Sequence, residues 1–286
     1  MALLNILNKR KHSDQGEMSF IEHLDDLRGM LFRSLLGIVV AGIVIALNFD
    51  FLYNQVILAP KSINFPTFKW LCKLGDILKM PNLCVKTVNI DMQNTTVNGQ
   101  LNLYFDVIFT GAFVLAFPWI LYQIWGFIKP ALKTKEKTGA TSFVFFVSLL
   151  FFLGVSFGYY ILAPYCITFM GSFSVSPEIK NIWTMDSYLE TFNSLILGTG
   201  IAFQLPLAIY YLAKVGFVTK AFLLNYSRYI ILAIIVLAAV ITPPDVVSQI
   251  IVSLPLILLF YIGIIIAGRE EKRRLQKANI NANEWS

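Results

Sequence analysis

The chain has 286 residues, of which 57% are hydrophobic and 14% charged, and a soluble domain carries about twice that share of charge. This composition excludes a soluble globular domain and indicates an integral membrane protein built as one bundle. The net charge of +6 raises nucleic acid as a partner, but the positions of the cations assign that charge to membrane orientation.

Residues 1–28 form a polar, basic start with Lys9, Arg10 and Lys11. The opening MALLNIL is too short for a secretory signal peptide and lacks a cleavage region. From Met18 to Arg33, Phe20, Ile21, Leu24, Leu27 and Leu31 recur at helical steps, so an amphipathic helix is expected to feed directly into a membrane span. Ser19 with Glu22 resembles a capping box. Glu22, His23, Asp25, Asp26 and Arg28 make up the polar side. Asp26 has two readings here: a neighbour of Arg28 without a special role, or a carboxylate held in cationic surroundings.

The first span is expected from about Met30 to Asn48, followed by a long insertion over 50–102 that contains Pro60, Pro66, Pro81, Cys72 and Cys84. If that side is extracytoplasmic, the two cysteines are candidates for a disulfide, which would help a small lobe lacking a core of its own; two free thiols are the alternative. The triplet Asn94–Thr96 fits a glycosylation acceptor and matters only in a eukaryotic secretory pathway. Span two covers about Leu103–Trp125 with Pro118 inside it. Span three covers about Thr141–Leu162 and stops at Pro164, with Cys166 just beyond. An acidic loop over 164–190 follows. Span four covers about Phe192–Ala213 with Gln204 and Pro206 near its middle. The apolar run of span five, Tyr229–Ile241, is short for a hydrocarbon layer about 30 Å thick. After the turn TPPD, span six is expected over about Val246–Ala267, kinked at Pro255, with the basic tail 268–286 fraying.

Six spans put both termini on one side of the membrane. That side carries 17 of the 23 Lys and Arg residues, so the positive-inside rule places it in the cytoplasm. Chemistry is sparse. The 3 cysteines and 2 histidines, His12 and His23, form no metal pattern, and no HExxH, nucleophile elbow or Walker loop occurs. Deep in the spans the expectation is no Lys, Arg, Asp or Glu, with Gln204 the one strongly polar residue. An ion-coupled transporter usually needs a buried ionisable relay, so this pattern weighs against one.

The stretch Phe117–Lys137 stands apart. Trp119, Tyr122, Trp125 and Phe127 read as an interfacial aromatic belt, and beyond Pro130 the carboxylate Glu136 sits among Lys129, Lys133, Lys135 and Lys137. An internally neutralised, solvated loop is one reading. The other pairs Glu136 with Asp26 as carboxylates suited to guanidinium partners, through charge-assisted and often bidentate bonds.

The segments HLDDLR (23–28), LAP (58–60), FPWILYQIWGFIKPALKTKEK (117–137) and TPPDVVSQ (242–249) resemble TatC, the multispanning receptor subunit of the twin-arginine protein translocase, and the match covers every span in order. The resemblance implies a single TatC-like domain over 1–286. Its fold would be all-α, with six transmembrane helices in a glove-shaped concave bundle and both termini cytoplasmic. It implies a receptor core in the bacterial plasma (inner) membrane that binds twin-arginine signal peptides and organises export of folded proteins. That receptor is not an enzyme, and it takes no cofactor, metal or nucleic acid. Its partners would be TatA- and TatB-type single-span subunits, with homo-oligomerisation in the complex and use of the proton-motive force.

By position, the resemblance makes Asp26 and Glu136 the signal-peptide acids, with Arg28, Gln123, Trp125, Phe127 and Pro130 shaping the same patch. Asp26 stands where the family more often has Glu. Asp245 and Gln249 match an outer turn and the sixth helix, where a partner contact and a helix cap at Asp245 are both open. Gln204 matches an intramembrane position that is commonly Glu, so a role needing ionisation is not expected there; a hydrogen bond to a partner helix or an internal one remains. The first outer loop is longer than the family's usual one. The alternative function is a secondary transporter, which a buried ionisable pair would favour. An intramembrane enzyme would need a reactive pair that the sequence does not contain.

Overall fold

In lipid every backbone amide must find its partner inside the protein, so apolar runs of this length form helices. A computed structural model of the chain describes residues 20–79, 91–128, 140–176, 178 and 181–283. Its helices are α1 (Phe20–Leu47), α2 (Pro66–Leu78), α3 (Gly99–Ile128), α4 (Ala140–Phe157), α5 (Ala163–Ser172), α6 (Met185–Ala202), α7 (Leu205–Val215), α8 (Lys220–Asn225), α9 (Ser227–Ile241) and α10 (Val246–Asn283). Five stretches are long and apolar enough to cross a membrane: Leu24–Leu47, Gly99–Phe127, Val144–Ser172, Met185–Val215 and Val246–Gln276. The 15-residue α9, the expected fifth span, is shorter, at about 22 Å of helix.

Several expected boundaries are corrected. The amphipathic start and the first span form one continuous helix, α1, as the periodicity suggested. Span three does not stop at Pro164. A π-helical turn, Gly158–Leu162, shifts the register, and Pro164 falls in the first turn of α5, where its missing N–H is not needed. Span four breaks at Phe203–Gln204, with Pro206 opening α7 in the same manner. Pro118 and Pro255 both lie inside continuous helices. The tail does not fray at the end of the apolar run, because α10 continues to Asn283. There Glu271 Oε2 accepts from the Lys220 backbone N at 3.0 Å, satisfying an orphan amide at the start of α8. One departure from all-α is a parallel pair of three-residue strands, β1 (Asp91–Gln93) with β2 (Ile182–Thr184).

Helices in lipid gain little from apolar burial against one another, so close approach at small residues carries the packing. Between α1 and α3, Ala41, Ala112 and Ala116 form a small buried cluster. Between α4 and α6, a Cβ on Gly154 would come within 2.5 Å of the Thr199 carbonyl oxygen. Thr199 Oγ1 also donates to the Gly154 carbonyl at 2.9 Å. Gly263 on α10 lies under Ile209 of α7. The larger core runs through Leu195, Val252, Leu256 and Phe260, so α6 and α10 are its central members.

The chain between α1 and α2 folds over one end of the bundle. The Tyr159 hydroxyl donates to the Val56 carbonyl at 3.0 Å, and the Tyr188 hydroxyl to that of Ile57. Burial raises the Tyr53 phenol above its ordinary pKa, and its hydroxyl meets Met185 Sδ at 3.5 Å. Cys72 is disulfide-bonded. Its expected partner, Cys84, lies outside the described residues. Cys166 is a free thiol buried within α5, with Sγ 2.9 Å from Ser248 Oγ.

Candidate functional site

Contacts between helices define one end of the bundle. Trp119 Nε1 on α3 donates to the Arg33 carbonyl on α1 at 3.0 Å. Trp125 stacks obliquely on Tyr211 of α7 at 6.4 Å, and Arg274 of α10 lies over Gly216, which ends α7 in the left-handed conformation at φ +95. The start of α1, the ends of α3 and α7, and the polar part of α10 therefore share this end.

Asp26 and Arg28 are both exposed there on the first turns of α1. Among the described residues the one ion pair is Arg273–Glu270 at 2.8 Å, so the Asp26 carboxylate is not neutralised by a described cation. The aromatic belt divides in two. Trp119 and Tyr122 are exposed, whereas Trp125 is 5% exposed and packs inward. Gln123 is buried and Phe127 half-buried. Asp26, Arg28 and Phe127 are thus accessible, and Gln123 and Trp125 lie beneath the surface. Pro130 and Glu136 lie outside the described residues.

Within the bundle, Gln204 sits at the α6–α7 break. Its Nε2 donates to the Gly200 carbonyl at 3.3 Å, and its buried Oε1 has no hydrogen-bond partner among the described residues. Towards the opposite end, α1, α3, α4 and α6 line an apolar cavity of about 310 Å³, with Ile45, Val107, Phe152 and Ile196 on its wall.

At that opposite end the turn before α10 is held by Asp245. Its Oδ1 accepts from the Ser248 backbone N at 2.7 Å, the geometry of a helix N-cap. Its Oδ2 is buried without a hydrogen-bond partner among the described residues. Gln249 Nε2 donates to the Ile235 carbonyl at 3.3 Å, so its amide ties α10 to α9.

A family model described as Sec-independent protein translocase protein (TatC) matches residues 22–255. The chain belongs to the TatC family. A TatC from Blattabacterium sp. subsp. Periplaneta americana is 34% identical over 264 residues, covering 92% of this chain and 99% of the relative. A Helicobacter pylori TatC is 45% identical over 159 residues, 56% of this chain and 64% of the relative. The TatCy of Bacillus subtilis is 30% identical over 264 residues, 92% of this chain and 91% of the relative. In structure, the chain is similar to the twin-arginine translocase receptor TatC crystallised in DDM, with TM-score 0.68 and 26% identity, covering 86% of this chain and 99% of that one. This is a family of protein translocase components rather than of enzymes, and its apolar helices make this TatC-family chain a membrane protein.

Sequence reading passed over one polar group of the TatC-family bundle. Asp106 lies near one end of the apolar run of α3, outside the deep part of the span where no acid is expected, and its Oδ2 accepts from Asn193 Nδ2 of α6 at 2.8 Å. Neither residue belongs to a recognisable motif, and they are 87 positions apart. The one available signal was an isolated Asp within a hydrophobic stretch. The partner is a neutral amide, so the pair is not the ionisable relay that a transporter would favour.

Proposed function

We propose that this chain is the receptor core of a twin-arginine translocase, binding the signal peptide at the cytoplasmic end of a six-span, glove-shaped bundle in the bacterial plasma membrane. The observation that carries the reading is the exposed Asp26 carboxylate, without a described cation to neutralise it, on the helix that leads into the membrane. A guanidinium supplies two parallel donors to a carboxylate, and a charge-assisted bond of this type is worth about 1.5–3 kcal/mol. Glu136 is the second acid of the site. Arg28, Phe127 and Pro130 border it, and Gln123 and Trp125 set its floor.

In this reading the apolar part of the signal peptide lies along the concave face, where the 310 Å³ cavity offers apolar walls. TatA- and TatB-type single-span subunits associate at Gln204, whose buried Oε1 accepts a bond from a neighbouring helix, and at the Asp245–Gln249 turn. Transport of folded cargo draws on the proton-motive force, and receptor copies assemble together within the complex. The disulfide of Cys72 closes on Cys84 on the extracytoplasmic side.

The test is binding of a twin-arginine signal peptide and its twin-lysine version to the purified protein, as wild type, Asp26→Asn and Glu136→Ala. Arginine is expected to bind more tightly to wild type, because Lys cannot form the bidentate pair, with the preference reduced in both variants. Equal binding of both peptides to all three proteins sinks the proposal.

A further inference from the structure

Helix α2 belongs to the long 50–102 insertion, and its two sides differ. The inner side carries Phe68 and Gly75, both buried, with Phe65 just ahead of the helix also buried. Phe65 stacks on Tyr160 at 5.9 Å and meets Tyr159 edge-on at 5.4 Å, while Thr67 Oγ1 donates to the Tyr160 carbonyl. The outer side carries Trp70 and Ile77, 72% and 78% exposed. Seven residues apart, they share one helical stripe. Lys69 and Lys73 flank that stripe, and neither makes an ion pair with a described residue.

What covers the stripe follows from what α2 is docked on. Tyr159 and Tyr160 belong to Val144–Ser172, a stretch long and apolar enough to cross a membrane. They lie past the end of α4, where the Tyr159 hydroxyl bonds the Val56 carbonyl of the chain leaving α1, and tyrosines and tryptophans gather where an apolar layer meets water. Tyr160 and Ile161 are themselves exposed, continuous with the exposed Phe152 and Leu153 of α4.

We propose that α2 is an interfacial helix, with Trp70 and Ile77 seated among the lipid headgroups of the leaflet away from the termini and Lys69 and Lys73 on lipid phosphates. Lysine stems can lie along apolar surface while their ammonium groups reach charge. Lys79, which ends α2, adds a third cation; Asp76 is the one exposed acid on the helix. The insertion is thereby fastened to the membrane surface beside α4.

The test uses the full chain with photoreactive benzoylphenylalanine in place of Trp70, Ile77 or, as an exposed control, Gln93. Each is reconstituted in phosphatidylcholine vesicles with and without phosphatidylglycerol, and adducts are read by mass spectrometry. Positions 70 and 77 are expected to label lipid several-fold more than position 93. The yield should rise with phosphatidylglycerol, and that rise should disappear in Lys69→Gln/Lys73→Gln. Labelling at 70 and 77 no higher than at 93 overturns the proposal, since the stripe then faces water. Illumination in native membranes that yields protein adducts instead of lipid ones overturns it in favour of a protein occupant. Equal yields in the two vesicle types overturn the assignment of the lysines to phosphates.

Discussion

Asn193 Nδ2 donates to Asp106 Oδ2 at 2.8 Å, linking α6 to α3 within two apolar runs. Removing the donor leaves a carboxylate partly shielded from water with one bond fewer. Asn193→Ala is therefore expected to lower stability by about 1–2 kcal/mol, as for a hydrogen bond to a charged group near a surface. Asp106→Asn retains an acceptor and should lose less. Thermal unfolding in nanodiscs separates the two, and equal losses would show that the bond itself is not what holds α3 to α6.

The pair also shows what the sequence conceals. Periodicity and hydropathy located α1, α3, α4, α6 and α10, because length and apolarity are local properties. Helix continuity was harder, since it depends on register. Pro164 reads as a stop, but the π turn at Gly158–Leu162 places it where a proline is harmless. The basic tail looked unsupported because Glu271, which caps α8 from α10, lies 51 residues from Lys220. At the candidate site the motifs named Asp26 and Trp125 equally, and only packing separates the exposed carboxylate from the indole beneath the surface.

Gly154 and Gly126 make opposite predictions for the same substitution. A Cβ at Gly154 would meet the Thr199 carbonyl oxygen at 2.5 Å and Gly200 Cα at 2.9 Å, both backbone atoms that cannot rotate away. Gly154→Ala should separate α4 from α6 and destabilise by about 1–3 kcal/mol or more. Gly126 has nothing within 4 Å of its built Cβ. Gly126→Ala should be neutral or stabilise by up to about 1 kcal/mol through helix propensity. A similar fall in melting temperature for both would remove close packing as the explanation.

Asp245 separates a structural role from an assembly role. Asp245→Ala deprives the Ser248 amide of its cap and should reduce stability by about 1–2 kcal/mol. Asp245→Asn keeps an oxygen for that amide, so its melting temperature should stay near wild type. If the buried Oδ2 receives a donor from a partner subunit, Asp245→Asn should still weaken co-purification of the single-span subunits. Full co-purification with Asp245→Asn would confine the residue to capping.

Trp119 and Gly37 are coupled through contact. The Trp119 indole lies so close that a Cβ on Gly37 would fall 2.2 Å from its Cδ1 and 2.6 Å from its Nε1, the nitrogen that donates to Arg33. Gly37→Ala must therefore displace the indole, break that bond or push α1 off α3. A loss of about 1–3 kcal/mol is expected. In a Trp119→Leu background the obstruction is removed, so adding Gly37→Ala should cost much less. The non-additivity, about 0.5–3 kcal/mol for residues in contact, is the quantity to measure in a double-mutant cycle. Strict additivity would mean that α1 and α3 do not close on each other through this pair. The same cycle read by signal-peptide affinity tests whether α1, which carries Asp26, must be seated on α3 for recognition. Gly37→Ala should then weaken twin-arginine binding while Gly37→Ala/Trp119→Leu recovers part of it.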